Sequence, residues 1–312
     1  MDTSNAGMDK IAVIGAGAVG IFYGAKIQEA GYKVEMQTRS ARKKSESLRF
    51  QIKSIWGNFN PDVKIFRSTA DMDPADLVIV SLKSLPGIDY RELLSPVLKT
   101  NTAILLLQNG LSGEEKLQTI LPDNPIVGGL AFTCINKVTH TKIEHLDYGF
   151  VKIGPLRKKD IPIAKKIADI FKKSKIPVEV GDDLRSLRWL KLLWNIPFNS
   201  LSVICNSTTT DKLIRNKNTY ALAEELMNEV LSVAKKEGSI IPRKEIKAML
   251  DRTKKMKPYK TSMLLDFERG NRMEVDAIFG EPLRIARKLK VDAPILETVT
   301  KILLFLDNED RK

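Results

Sequence analysis

Three polar side chains recur at a spacing of four residues within a mostly apolar segment at positions 187–199. They are Lys191, Asn195 and Asn199. Residues four apart project from the same face of an α-helix, and polar groups on a buried helix need partners. A lysine there can protonate an alkoxide while two amides orient a substrate. The spacing is equally typical of a lysine that reaches solvent from a core helix beside structural asparagines, so the residues alone leave both interpretations open.

A glycine-rich turn near the amino terminus predicts a dinucleotide site. It follows an apolar strand at Lys10–Ile14 and opens a helix predicted at 21–30, before a second strand at Lys33–Gln37. The first glycine permits the tight turn, the second lets the backbone approach a diphosphate, and the third allows the helix to pack closely on the strand. The helix amino terminus supplies N–H groups and a positive dipole for the phosphates. The predicted cofactor-binding residues of this turn are Gly15, Ala16, Gly17, Ala18, Val19 and Gly20.

The end of the second strand indicates which dinucleotide is bound. Proteins that bind NAD carry an acidic residue there, which holds the ribose 2′-hydroxyl. Here the place is taken by Gln37, Thr38 and Arg39, and Glu35 lies earlier within the strand. Because a guanidinium can bind a 2′-phosphate through two parallel hydrogen bonds, Arg39 predicts NADPH. The alternative is a solvated loop arginine.

The hydrophobic pattern predicts two domains of different class. Apolar strands and helices alternate as far as residue 180, which predicts a mostly parallel sheet covered by helices. Beyond 181–183 the periodicity is almost entirely helical. We therefore predict an α/β protein with an amino-terminal Rossmann-type doubly wound sheet at 1–182 and an all-helical domain at 183–312. Further strands are predicted at 76–81, 103–107, 126–132, 148–153 and 177–180, and further helices at 162–174, 184–205, 218–237, 243–256, 262–268, 275–288 and 294–307.

Composition and charge argue against several classes of protein. The net charge is +13, but the basic residues form short dispersed clusters without interleaved aromatic residues, so we expect no nucleic-acid partner. Cys134 and Cys205 are too few for a disulfide framework, and paired metal-ligand spacing is absent, so we predict no metal site. The first residues lack the apolar region of a secretory signal and no apolar run could span a bilayer, so we expect no membrane association and a cytoplasmic location. The oligomeric state stays open between a monomer and a homodimer.

The motifs together resemble one enzyme family. Over essentially its whole length the chain resembles the ketopantoate reductases, or 2-dehydropantoate 2-reductases. The glycine turn is common to many enzymes, whereas the K-x-x-x-N-x-x-x-N pattern that begins at Lys191 and the blocks at 262–266 and 273–276 are more specific. The resemblance implies a sheet domain followed by a helical domain. It also implies NADPH-dependent reduction of 2-dehydropantoate to pantoate on the route to pantothenate and coenzyme A.

The resemblance implies roles for the residues that match within the predicted helical domain. Lys191 matches the general acid that protonates the new hydroxyl, and Glu274 matches the glutamate that works with it. Asn195 and Asn199 match substrate-binding asparagines. Ser262 matches the serine that holds the substrate carboxylate. Taken alone, Ser262 and Glu274 would be interpreted as a helix cap and a carboxylate at a helix start.

Three further matches lie in the predicted sheet domain. Asn109 matches an asparagine at the junction of cofactor and substrate, where it binds both. Arg39 and Lys83 match basic residues near the adenosine phosphate and near the cofactor. Lys83 also follows a predicted buried strand at its carboxyl end, which is where α/β sheets bind ligands.

The predicted function is therefore that of an NADPH-dependent oxidoreductase acting on a small 2-oxo acid, 2-dehydropantoate. One alternative is a reductase of the same architecture that acts on another small 2-oxo acid. A second is a non-catalytic, NADPH-binding regulator, because a fold does not determine a function. The intact stripe of Lys191, Asn195 and Asn199 argues against the regulator.

Overall fold

The computed structural model describes residues 7–307, which form two compact units. The first, called here the sheet unit, comprises the residues up to Lys83, Gly87–Gln108 and Gly113–Leu184. The second, the helical unit, comprises Ser84–Pro86, Asn109–Ser112 and the residues from Arg185 onward. The fold is α/β, with a Rossmann-like sheet region followed by a helical carboxyl-terminal region.

Within residues 7–307 the sheet unit forms one ten-stranded, mostly parallel sheet with the order β10-β9-β8-β7-β6-β1-β2-β5-β3, and β4 pairs with β9. The strands are β1 Lys10–Ile14, β2 Lys33–Gln37, β3 Ser45–Arg49, β4 Gln51–Ser54, β5 Asp62–Phe66, β6 Leu77–Val80, β7 Ala103–Leu106, β8 Ile126–Lys137, β9 Lys142–Pro155 and β10 Val178–Val180. The helices of this unit are α1 Ala18–Glu29, α2 Tyr90–Leu94, α3 Gly113–Ile120 and α4 Ile161–Lys173.

The central strands are continuously apolar because both faces of the sheet are covered. In β6, Val78 and Val80 enter one hydrophobic core, whereas Leu77 and Ile79 enter the core on the opposite face. Alternate side chains of a strand point to opposite faces, so a strand between two cores needs no polar positions. This burial explains why the strands that carry the predicted site are recognisable from sequence.

Two parts of the sheet differ from the prediction. The strands predicted at 126–132 and 148–153 are both longer, and they pair antiparallel as β8 and β9. The sequence predicts no strand for β3, β4 or β5. Strand β4 buries Ile52, and β5 buries Val63 and Ile65 in alternation with exposed residues, whereas β3, at the edge of the sheet, alternates only between exposed and half-buried residues. Edge strands are supported by backbone pairing more than by burial, so they carry little apolar signal.

The helical unit is built from seven α-helices and one π-helical turn within the described residues. They are α5 Leu184–Ile204, α6 Thr210–Arg215, α7 Lys217–Glu237, α8 Lys244–Lys255, α9 Ser262–Glu268, the π-helical turn Asp276–Gly280, α10 Glu281–Leu289 and α11 Pro294–Leu306. No helix in the part of the chain that the structure describes has both the length and the hydropathy needed to cross a membrane.

Helix α5 runs through the core of the helical unit. Trp189 and Leu192 are fully buried in it. The Arg185 guanidinium donates to both oxygens of Glu237 at 2.9 and 2.6 Å, and the Trp189 indole N–H donates to the same carboxylate. Burial alone would raise the pKa of Glu237, but these hydrogen bonds lower it below its ordinary value. Helix α5 is thereby tied to the carboxyl end of α7.

The segment predicted as a helix at 275–288 is helical throughout, but its first part is the π-helical turn Asp276–Gly280, which α10 follows directly. Pro282 has no N–H to donate to the carbonyl of Ile278, so an uninterrupted α-helix would lack one bond here. The carbonyl of Ala277 accepts instead from the Leu111 N–H at 3.3 Å. π-Helical turns of this kind occur frequently at functional sites.

Candidate functional site

The glycine-rich turn is held against the end of β2. The N–H groups of Gly15 and Ala16 both donate to the carbonyl of Gln37, at 3.0 and 2.8 Å. Gly15 has a φ of +101°, and a Cβ there would lie 2.7 Å from the Leu82 nitrogen. Only glycine has both the required backbone conformation and the required lack of volume at this position.

The second glycine of the turn leaves space for a diphosphate, and the third allows close packing. A Cβ built on Gly17 would meet nothing within 4 Å, whereas one on Gly20 would lie 2.4 Å from the Gly15 carbonyl oxygen. Helix α1 begins at Ala18, has no side-chain cap, and carries no acidic residue in its first turn. The N–H groups at its start, including those of Ala18 and Val19, are therefore available to an anion.

The predicted basic residues of the sheet unit lie at the carboxyl ends of its strands. Arg39 follows β2 and lines a cavity of about 540 Å³. Lys83 follows β6 and is half-buried. Lys137, which the sequence does not single out, ends β8 and donates from Nζ to the Ala16 carbonyl at 3.3 Å. Burial lowers the pKa of Lys137. No local sequence signal marks it, since its contact with the turn spans more than a hundred residues.

Lys191 lies on α5 in an environment that changes its acidity. Its pKa is lowered to about 7, chiefly by burial and also by the positive charge of Arg188, while the negative charge of Glu274 opposes both effects. Arg188 is 3% exposed and lies one turn earlier on the same helix. Arg188 is not among the predicted site residues, although its i, i+3 spacing from Lys191 is a signal that could have identified it.

Glu274 connects three segments that are distant in sequence. Its Oε1 accepts from the backbone N–H of Ser84 at 2.8 Å, and its Oε2 accepts from Nδ2 of Asn109 at 3.1 Å. The carboxylate is 8% exposed. Ser84 and Asn109 follow β6 and β7 in the chain, yet both belong to the helical unit. The structure thus brings the predicted residues Asn109 and Glu274 together, with Glu274 close enough for its charge to act on Lys191.

The position of Asn109 depends on its neighbour Gly110 and on the π-helical turn. Gly110 has a φ of +95°, and a Cβ there would lie 2.5 Å from the carbonyl oxygen of Ala277. Arg185 also donates from Nη1 to Oγ of Ser112 at 3.2 Å, which anchors the other end of this short segment. The sequence predicts Asn109 as a site residue but gives no indication of this support.

The remaining predicted residues lie along α5 and at the start of α9. Asn195 is largely buried and Asn199 is 2% exposed, on the helix that carries Lys191. The cap of α9 is Thr261, whose Oγ1 accepts from the Leu264 N–H at 3.2 Å and lies 2.7 Å from Oγ of Ser202. Ser262, the first residue of α9, is exposed, so its hydroxyl is accessible to a ligand.

The arrangement can supply a proton but offers no metal centre. Within residues 7–307, no group of three or more His, Cys, Asp or Glu side chains is placed to hold a metal ion. In the helical unit, an ammonium group with a pKa near neutrality lies within the influence of a fixed carboxylate. Such a group exchanges a proton readily near pH 7.

Comparisons with known proteins identify relatives over the whole described chain. Residues 11–158 match the family described as "Ketopantoate reductase PanE/ApbA", and residues 183–307 match "Ketopantoate reductase PanE/ApbA C terminal". A 2-dehydropantoate 2-reductase of Nostoc sp. is 40% identical over 308 residues, which cover 97% of this chain and 96% of the relative.

Solved structures show the same architecture. A crystal structure of 2-dehydropantoate 2-reductase from Geobacter metallireducens GS-15 has a TM-score of 0.88 at 33% identity, covering 94% of this chain and 98% of that one. A ternary structure of D-mandelate dehydrogenase with NADH and anilino(oxo)acetate has a TM-score of 0.87 at 20% identity, covering 96% of this chain and 99% of that one. The second likeness is one of fold alone.

Proposed function

Because the chain belongs to the ketopantoate reductase family, we propose that it reduces 2-dehydropantoate to pantoate with NADPH and that Lys191 is the general acid. The observation that carries the proposal is the environment of Lys191. A half-buried lysine whose pKa is about 7, and whose charged form is favoured by a carboxylate, is suited to deliver a proton at neutral pH.

Lys191 acts on the oxygen of the substrate carbonyl. NADPH, when bound, supplies the hydride to the keto carbon. The carbonyl oxygen gains negative charge as the hydride arrives, and Nζ of Lys191 donates a proton to it, so the product is the neutral hydroxyl. Lys191 is left as the uncharged amine, the form that its burial favours.

Glu274 keeps Lys191 protonated before the reaction. Its negative charge raises the lysine pKa against the effects of burial and of Arg188. The hydrogen bonds from the Ser84 N–H and from Asn109 hold the carboxylate in place and satisfy both of its oxygens. Asn109 is thereby positioned to bind the substrate or the cofactor through its remaining amide oxygen.

The other polar residues of the helical unit orient the substrate. Asn195 and Asn199 offer amide groups on the face of α5 that carries Lys191. Ser262, exposed at the start of α9, binds the substrate carboxylate through its hydroxyl. Together these contacts would bring the keto oxygen to the lysine in one orientation, which is a large part of what an enzyme supplies.

The sheet unit would bind the dinucleotide. The diphosphate would lie at the glycine-rich turn and the start of α1, where Gly17 leaves open space. Arg39, Lys83 and Asn109 are the further cofactor contacts, and Arg39 favours NADPH over NADH. We place the reaction in the cytoplasm, on the route to pantothenate and coenzyme A.

Steady-state turnover tests the proposal. Purified protein is assayed for NADPH oxidation with 2-dehydropantoate and with a panel of other small 2-oxo acids, and pantoate is identified by mass spectrometry. We expect the highest kcat/KM with 2-dehydropantoate. Preference for another 2-oxo acid would instead support a related reductase of the same architecture, a fold that D-mandelate dehydrogenase also has. NADPH binding without turnover of any 2-oxo acid would support the regulator.

A further inference from the structure

A cavity of about 540 Å³ opens at the carboxyl ends of two neighbouring strands of the sheet unit. Strands β2 and β5 run parallel, with Gln37 paired to Phe66. The residues that follow them therefore leave the sheet at the same edge. The side chains that line the cavity are Arg39, Lys44, Arg67, Ser68 and Asp71.

Hydrogen bonds fix the backbone of Arg67 beside the end of β2. The side-chain amide of Gln37 donates to the Arg67 carbonyl at 3.0 Å, and Gln37 is itself 3% exposed. The Thr38 N–H donates to the Phe66 carbonyl at 2.9 Å, and the Arg67 N–H donates to the Lys44 carbonyl at 3.1 Å. Arg67 is therefore held as firmly at this edge as the segment that leads to Arg39.

The charges around the cavity are unbalanced. Nζ of Lys44 pairs with Oδ1 of Asp71 at 2.9 Å, so these two side chains compensate each other. The guanidinium groups of Arg39 and Arg67 have no hydrogen-bonding or ion-pair partner among residues 7–307. Two unpaired guanidinium groups beside one cavity match a phosphate monoester, which carries close to two negative charges at neutral pH.

We propose that Arg67 binds the 2′-phosphate of NADPH together with Arg39, and that the pair sets the preference for NADPH over NADH. The inference deepens the proposed function and rests on it for the identity of the cofactor. Gln37, in the position where NAD-binding proteins carry a carboxylate, acts as a positioning residue because it holds the Arg67 backbone. Ser68 accepts from the Ala70 N–H at 3.2 Å, which leaves its hydroxyl proton available to a phosphate oxygen.

Calorimetric binding to the full-length protein tests the proposal without turnover. The ligands are NADPH, NADH, 2′,5′-ADP, 5′-AMP and inorganic phosphate. The variants are Arg67→Met, Arg67→Lys and Arg39→Met, and the matched control is Arg42→Met. Arg42 is an exposed arginine of the same loop that does not line the cavity. Its removal changes the net charge equally and leaves the proposed contact intact.

We expect Arg67→Met to raise the Kd of NADPH and of 2′,5′-ADP by about tenfold or more, because a charge-assisted hydrogen bond to the phosphate is lost. The Kd of NADH and of 5′-AMP should change by less than about twofold, as should every Kd of Arg42→Met. Arg67→Lys should lose part of the affinity, since an ammonium keeps the charge but not the two parallel hydrogen bonds.

Three outcomes would overturn the role of Arg67. They are an unchanged preference for NADPH in Arg67→Met, an equal loss of NADPH and NADH binding, and an equal loss in Arg42→Met. The role of Arg67 would also be overturned if inorganic phosphate bound as tightly as 2′,5′-ADP and Arg67→Met lost the binding of inorganic phosphate alone. Wild-type protein that binds NADPH and NADH equally would instead contradict the cofactor of the proposed function, which separates the two failures.

Discussion

The cations proposed to act in the sheet unit and in the helical unit lie in opposite environments. Arg39 and Arg67 are exposed beside an open cavity, where water already solvates them and an anion can approach. Lys191 lies on a core helix, where its pKa is lowered to about 7, chiefly by burial. An exposed cation contributes charge and hydrogen bonds to a ligand, whereas a buried one can also change its protonation state near neutral pH.

The carboxylates of the two regions differ in the same way. In the sheet unit, Asp71 pairs with Lys44, whose side chain is 79% exposed, and such a surface pair contributes little stability. In the helical unit, Glu274 is nearly buried and accepts two hydrogen bonds from groups that do not ionise. Those two partners do not neutralise its charge, which raises the pKa of Lys191. The comparison predicts that changes in the helical unit affect the chemical step and that changes in the sheet unit affect cofactor binding.

The largest effect is expected for Lys191→Met. The substitution removes the proton donor, so kcat should fall by at least ~10²-fold. The Kd of NADPH should be unchanged, because the glycine-rich turn and Arg39 belong to the sheet unit. Steady-state kinetics and a fluorescence titration of NADPH measure the two quantities. The control is Lys235→Met, at an exposed lysine of α7. A kcat for Lys191→Met close to that of the wild type would contradict the assignment of the acid.

Arg39→Asp should have the next largest effect, on the preference between NADPH and NADH rather than on kcat. It places a carboxylate where a 2′-phosphate would lie and where a ribose 2′-hydroxyl could be bound instead. The ratio of kcat/KM for NADPH to that for NADH should fall by about tenfold or more, while kcat at saturating NADPH stays near the wild-type value. An unaltered ratio, or a fall in kcat with both cofactors, would contradict the expectation that changes in the sheet unit affect cofactor binding and not the chemical step.

A pair of substitutions around Lys191 should shift the pH dependence in opposite directions. The acid must be protonated, so kcat falls as pH rises through the pKa of Lys191. Glu274 raises that pKa and Arg188 lowers it. Glu274→Gln should therefore move the alkaline limb of the pH profile to lower pH, and Arg188→Met should move it to higher pH.

Profiles of log kcat against pH measure both shifts, and thermal denaturation checks that each variant is folded. Shifts in the same direction would show that the charges of Glu274 and Arg188 do not act on Lys191 as the structure indicates. Arg42→Met provides the matched control, because it removes the charge of an exposed arginine that does not line the cavity. Its profile should superimpose on that of the wild type.

The smallest effect is expected for Ser262→Ala. Loss of one hydroxyl contact should raise the KM for the 2-oxo acid by about twofold to tenfold, with the Kd of NADPH unchanged. Its buried neighbour Thr261 is the matched contrast, since Thr261→Ala removes the helix cap and should lower the free energy of unfolding by about 1 kcal/mol. If Ser262→Ala lowered the melting temperature and left KM unchanged, the serine would be structural.

Local patterns identify the parts of the fold in which burial is continuous. The limits predicted for the first two strands, Lys10–Ile14 and Lys33–Gln37, are those that the structure has, and so are those of Ser262–Glu268. Strand β3 escapes prediction because none of its residues is buried, whereas β4 and β5 alternate exposed residues with only a few buried ones such as Ile52, Val63 and Ile65. The π-helical turn is not predicted because the Ala277 carbonyl accepts from the Leu111 N–H, a long-range contact that no local sequence pattern shows.

The candidate site likewise has parts that follow from the sequence and parts that only the tertiary structure reveals. The stripe of Lys191, Asn195 and Asn199 follows from sequence alone, because helical geometry fixes which residues share a face. The same is true of the glycine-rich turn, whose steric demands are local. Only the tertiary structure could bring Glu274 to within 3.1 Å of Asn109 across 165 residues, or hold Arg67 beside the end of β2. The pKa of Lys191 also depends on folding, because it is set by burial and by charges that the chain assembles only when it folds.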